Sequence, residues 1–158
     1  ALLAAGLVAG PALAEPAAQA AQTHFYPADE DGEFALRMAL AEVRASKRLA
    51  VVVFGADWCH DSRSLAEVLT SEAFRKEFGE QFDVTFIDVG KPQTGEGRNL
   101  DLVAGLGVKG LKSTPALFVL SADGKPVNSA KDAVSWRNAD SRGAEKILQW
   151  FRALKPMA

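Results

Sequence analysis

The chain is poor in the residues that build most chemical sites: its 158 residues include one cysteine, two histidines and two methionines. One cysteine rules out an internal disulfide, so Cys59 is either buried and inert, paired with another molecule, or reactive. There is no cationic surplus either. With 18 Lys+Arg against 20 Asp+Glu the net charge is −2, so nothing equips the surface to grip a phosphate backbone and no nucleic-acid partner is expected. Structural zinc needs four protein ligands, and no second Cys/His cluster accompanies Cys59 and His60, so no metal is expected. No apolar run reaches the roughly 20 residues of a membrane span. What is present, 48% hydrophobic and 24% charged residues, is the make-up of one compact folded domain.

The first 22 residues depart from that make-up, carrying a single charge, Glu15, among alanines, leucines and small residues. Ala1 to Ala9 is apolar, Gly10-Pro11 interrupts it, and Ala12-Leu13-Ala14 has the small-x-small pattern of a signal-peptidase site. Residues 1–14 therefore read as a secretory signal lacking its basic n-region, 15–28 as a flexible leader, and 29–158 as the domain. A periplasmic or secreted location is expected.

From Asp31 the pattern is helical, with Phe34, Met38 and Leu36, Leu40, Val43 recurring at helix spacing and Arg44, Lys47, Arg48 closing the end. Leu49 to Phe54 is a continuous apolar run, the mark of a central strand buried on both faces. Cys59 follows at a strand-to-helix junction, and Thr70-Ser71 divides the segment up to Phe78 into two helices or one kinked helix. Phe82 to Val89 reads as a second strand, Lys91 to Arg98 as a Gly-rich loop, and Asn99 as the cap of a short helix. Ala116 to Leu120 is a third strand. Asp123-Gly124 predicts a hairpin into a returning edge strand from Lys125, and Ile147, Trp150, Phe151, Leu154 mark a last helix starting near Asp140 or Ser141. Trp150 reads as core, whereas Trp136 caps a groove or covers an edge.

A cysteine in the first turn of a helix meets unpaired backbone N–H groups and the positive end of the macrodipole, which stabilise a thiolate. His60 adds positive charge, Asp61 opposes it, and the Ser62 hydroxyl, one turn on, is placed to donate to the sulfur. Asp57 relays a proton near the thiol or only solvates the loop. Cys-His-Asp adjacency is not a catalytic triad, whose members meet in space rather than in sequence.

The segment Phe54-Gly55-Ala56-Asp57-Trp58-Cys59-His60-Asp61-Ser62 resembles the active-site segment of the thioredoxin superfamily, and Ser113-Thr114-Pro115 resembles its cis-proline loop. The likeness runs from about Leu49 to Leu154. It implies a thioredoxin-like three-layer α/β/α sandwich with a central mixed sheet and an N-terminal helix. It implies Cys59 as nucleophile, Trp58 shaping its surroundings, Pro115 as the cis-proline facing it, and Thr114 offering backbone hydrogen bonds to an extended substrate.

Two positions depart from the family pattern. Ser62 stands where a second, resolving cysteine is usual, and Val53 where thioredoxins carry a buried acid. A dithiol cycle within one chain is therefore chemically excluded, since a hydroxyl forms no S–S bond. What remains is monothiol exchange on disulfide- or thiol-containing proteins or small thiols. It needs no cofactor beyond an external thiol such as glutathione as co-substrate. The alternative is a non-catalytic binding or chaperone-like module that has kept the groove.

Overall fold

A computed structural model describes residues 23–154, so the signal segment 1–14 and leader residues 15–22 lie outside the described residues. Seven valine, leucine, alanine, phenylalanine and glycine residues form the central strand β1, Leu49–Gly55, of which all but Leu49 are buried. It pairs in parallel with β2, Phe82–Asp88, and antiparallel with β5, Ala116–Leu120, giving the sheet order β2-β1-β5. Flanking β1 on both sides explains its unbroken apolar run.

Helices cover both faces. On one lie α1, Gly32–Ser46, α4, Leu100–Gly105, and α5, Ala130–Ser135, over Val52, Phe54 and Phe118. On the other lie α2, His60–Leu69, α3, Glu72–Phe78, and α7, Ala144–Ala153, over Val51, Val53 and Val119. A short hairpin of two two-residue strands, β3 (Gly90–Lys91) and β4 (Glu96–Gly97), occupies the Gly-rich loop, and α6, Ala139–Arg142, precedes α7. The result is the expected three-layer α/β/α sandwich around a mixed sheet. Ser71 accepts from the Phe74 N–H and starts α3, so the segment after Cys59 is two helices.

Several expectations are corrected. Helix α1 buries Gly32, Ala35, Ala39 and Val43, whereas Phe34 and Met38 are 50% and 54% exposed. Small side chains let the helix approach the sheet closely, and periodicity alone does not choose between two adjacent stripes. The leader does not run to residue 28: Tyr26 is 2% exposed and stacks edge-on against Phe86. Asn99 does not cap α4 with its side chain, which instead donates to the Asp88 carbonyl at 2.8 Å.

The returning edge strand is reduced to an isolated bridge, Leu120 to Pro126. Pro126 has no N–H to donate. Beyond it the Asn128 amide substitutes for backbone, accepting from Val119 N–H and donating to the Leu117 carbonyl, both at 2.9 Å. Gly143, at φ +80, separates α6 from α7, so the last helix starts at Ala144. Trp136 is fully buried, edge-on to Trp150 at 4.9 Å, and caps no groove.

Candidate active site

β1 delivers the chain to Gly55, and Ala56, Asp57 and Trp58 turn it into α2. Cys59 is the N-cap, with extended φ −86 and ψ 122, and its side chain makes no capping hydrogen bond. The sulfur is therefore held at the mouth of α2 without being consumed by it, beside N–H groups that have no partner within the helix. It is partly buried, and its S–H donates to the Thr114 carbonyl at 3.5 Å. The Thr114–Pro115 peptide is cis, and both residues are buried. The α2 N-terminus and the loop before β5 thus face each other across the sulfur.

Trp58 is 46% exposed, and its indole N–H donates to the Gly90 carbonyl at 2.9 Å, pinning the ring to the β3–β4 hairpin. His60 is exposed and turned into a network away from the thiol. Its Nε2 lies 3.1 Å from Asp140 and its Nδ1 3.3 Å from Arg63 Nη2. With Arg63 able only to donate, Nδ1 accepts and Nε2 carries the proton toward Asp140. Asp140 also accepts from Ser64 Oγ at 2.9 Å, and its own N–H donates to Asp61 at 2.9 Å. Asp61 is thus tied to α6.

Ser62 makes no hydrogen bond to the sulfur. It is fully buried, its carbonyl accepts from the Tyr26 hydroxyl at 2.8 Å, and its own Oγ has no partner. Gly55 is required here, because a Cβ at that position would lie 2.7 Å from Ser62 Oγ and 2.8 Å from the Tyr26 ring. Val53 packs in the apolar core with Leu65 and Ala66, so β1 offers no acid at that position. Among the described residues Asp88 is the one buried carboxylate, and it is engaged by Gly90 N–H and Arg98.

Asp57 uses its carboxylate elsewhere than on the thiol. One oxygen accepts from the N–H groups of Phe25 and Tyr26 at 2.9 and 3.3 Å, and the other lies 3.5 Å from His24. The loop before Cys59 is thereby bolted to the segment entering α1. Burial, then the neighbouring Cys59 charge, holds the Tyr26 phenol well above its ordinary range, the Asp57 charge adding to this.

Two participants escaped the sequence reading. Tyr26 had a signal, since Phe25-Tyr26 interrupts an Ala- and Gln-rich stretch with the only tyrosine in the chain. Asp140 had none, being 80 residues from His60.

A solitary thiol at a helix N-cap, opposed by a cis-proline loop at the end of a mixed sheet, defines a thioredoxin-fold thiol protein. The family comparison agrees, matching residues 36–135 to the thioredoxin-like domain, and the chain belongs to that family. Both Tyr26 and Asp140 fall outside the matched span. Among solved structures the chain is similar to a disulphide isomerase from Xylella fastidiosa Temecula1. The two share 27% identity over 84% of this chain and 97% of that one, with a TM-score of 0.70. No curated protein matches. Among the described residues no helix is long and apolar enough to cross a membrane.

Proposed function

We propose that the protein performs monothiol thiol–disulfide exchange through Cys59, in the manner of an isomerase or thiol transferase. The observation that carries this reading is the position of the sulfur: at the α2 N-cap, partly open, 3.5 Å from the Thr114 carbonyl beside cis-Pro115. Kinship with the thioredoxin-like family and similarity to a disulphide isomerase support thiol–disulfide chemistry on thiol-containing proteins.

In the first step the Cys59 thiolate attacks one sulfur of a substrate disulfide. The substrate S–S bond breaks, the second sulfur leaves as a thiolate with the electron pair, and a Cys59–substrate disulfide forms. In the second step an external thiolate such as glutathione, or a different cysteine thiolate of the substrate, attacks the substrate sulfur of that bond and returns Cys59 to a thiolate. With the substrate's own thiol the net result is rearrangement without gain or loss of electrons. N–H groups of the first α2 turn stabilise the thiolate in both steps. Trp58 walls the approach, and Thr114 and Pro115 receive an extended substrate segment. His60 is held at the start of α2 by Asp140 and Arg63 and serves as a positioning residue there. Asp57 is a positioning residue that fixes the loop through Phe25 and Tyr26. The leader composition, read as a secretory signal, supports export to an oxidising compartment, where disulfides await rearrangement.

The absence of a second thiol at Ser62 and of an acid at Val53 favours one rival, a binding module that uses the same groove without turnover. Refolding of a scrambled-disulfide protein in reduced glutathione distinguishes the two. Catalysis predicts recovery of native pairings faster than with glutathione alone, and a fall of Cys59→Ser to the glutathione-only rate. Equal rates for the two proteins would leave only the binding module.

A further inference from the structure

The sheet has two edges, and the chain closes one of them. Beyond β5, the Asn128 amide meets Val119 N–H and the Leu117 carbonyl, and Val127 N–H donates to the Val119 carbonyl at 2.8 Å. Beyond β2 the rings of Phe25 and Tyr26 pack against Phe86, but no hydrogen-bonded cover exists among the described residues. Leu49 N–H donates to the Gln81 carbonyl and Val89 N–H to the Gly55 carbonyl. The strand period of two therefore turns the main-chain groups of Asp83, Thr85 and Ile87 toward β1 and those of Val84 and Phe86 outward. Asp88 shares the outward phase, and its carbonyl is taken by Asn99. The outward N–H and C=O groups of Val84 and Phe86 have no partner among the described residues.

Grooves flank this edge on both faces of the sheet. One, of about 490 Å³, runs between α1 and β2 and is lined by Phe34, Met38, Glu30, Glu42 and Asp83, with no Lys or Arg in its wall. Phe34 and Met38 are two of the three large apolar side chains exposed among the described residues. Arg48 reaches Glu42 at 3.0 Å and Asp83 at 3.9 Å, whereas Glu30 has no ionic partner among the described residues. Burial pushes the Asp83 carboxyl up, with Arg48 opposing that rise. The other groove, of about 570 Å³, is walled by Leu69, Phe74, Phe82, Val84 and Phe86, with Arg48 and Arg75 also in its lining.

We propose that the β2 edge accepts an added strand from a partner protein, an extended segment in which basic residues alternate with apolar ones. Side chains of an added strand point alternately to the two faces. Those on the α1 face meet carboxylates beside Phe34 and Met38, and those on the opposite face meet Leu69, Phe74 and Phe82, where Arg48 and Arg75 disfavour a basic side chain. A second copy of this chain does not fit. Pairing β2 with β2 antiparallel brings both α1 grooves to one face and sets Glu30, Glu42 and Asp83 beside their own counterparts. Residues 1–22 of the chain do not fit either, since their single charge is Glu15 and they hold no aromatic residue to cover the walls.

Fluorescence anisotropy with a labelled, end-blocked Lys-Val repeat peptide tests the proposal, a Glu-Val repeat serving as control. Val84→Pro removes one outward donor and leaves the ladder to β1 intact, because the Val84 N–H does not face that strand. Glu30→Lys reverses a solvated charge at the groove. The Lys-Val peptide binds, the Glu-Val peptide does not, and added salt weakens binding. Each variant weakens it by about tenfold or more, the scale of one lost hydrogen bond or ion pair in a short peptide. The rate of Cys59 alkylation stays unchanged in both, so the outcome is separate from that of the exchange reaction. If Val84→Pro fails to fold, Glu30→Lys alone decides. Equal binding of the two peptides, no binding, binding untouched by the folded variants, or a wild-type dimer that Glu30→Lys tightens would each overturn the proposal.

Discussion

Ser62→Cys turns the protein into a dithiol reductant: the variant forms an intramolecular disulfide with Cys59 and reduces insulin in the presence of dithiothreitol, through a two-thiol cycle that a chain with one cysteine cannot run. Residues 59 and 62 are one helical turn apart and share a face. Cys59 is the N-cap with extended torsions, so its Cβ is not held at regular helical separation from residue 62. The exchange removes a buried hydroxyl that has no partner, so no hydrogen bond is forfeited and an unsatisfied polar atom is lost. Stability is therefore expected to hold or rise. Thiol counting under oxidising conditions and an insulin turbidity assay read the result. Two free thiols and no turbidity would mean that the two side chains do not meet.

Tyr26→Ala lowers stability by about 4 kcal/mol, the scale of a buried aromatic deleted from a core, and the melting temperature by roughly 10–15 °C. The ring is fully packed against Phe86 and Gly55, and its hydroxyl is bonded to the Ser62 carbonyl. Tyr26→Phe keeps the packing and costs about 1 kcal/mol, the net worth of the hydrogen bond. Raising pH provides a second reading of the same group. Below about pH 10 the phenol is protonated in both folded and unfolded chains and contributes no slope. Above it the unfolded chain loses the proton while the buried phenol, whose affinity for it is raised, keeps it, so stability falls as pH rises. This is the chain's only tyrosine, so phenolate absorbance should appear together with unfolding and not before. Calorimetry across alkaline pH should show a shallower decline in Tyr26→Phe.

These two residues also mark where the sequence was legible. The strand Leu49–Gly55 and the Cys59 junction could be read because each has a local signature, an unbroken apolar run and a helix start, whereas the facing Pro115 loop was read only from its resemblance to the thioredoxin superfamily. Of the apolar positions that marked α1, Leu36, Leu40 and Val43 pack on the core whereas Phe34 and Met38 stay exposed and Ala35 and Ala39 are buried instead. The sheet's demand for close approach outweighs side-chain size, and no local pattern records it. The hairpin at Asp123-Gly124 turned as expected, but a side-chain amide at Asn128 displaced the backbone ladder that would have made a strand. Tyr26, Asp57 and Asp140 act through partners dozens of residues away, beyond the reach of any window along the chain.

The site reading rests on a reactive, accessible Cys59, and one mass measurement addresses it. Purified protein is mixed with oxidised glutathione at neutral pH and weighed, and the adduct is located by peptide mapping. Rapid gain of a single glutathionyl group on Cys59, reversed by reduced glutathione, is the result the account predicts. An unchanged mass after prolonged incubation of the folded protein, with Cys59 labelled only after unfolding, would contradict it.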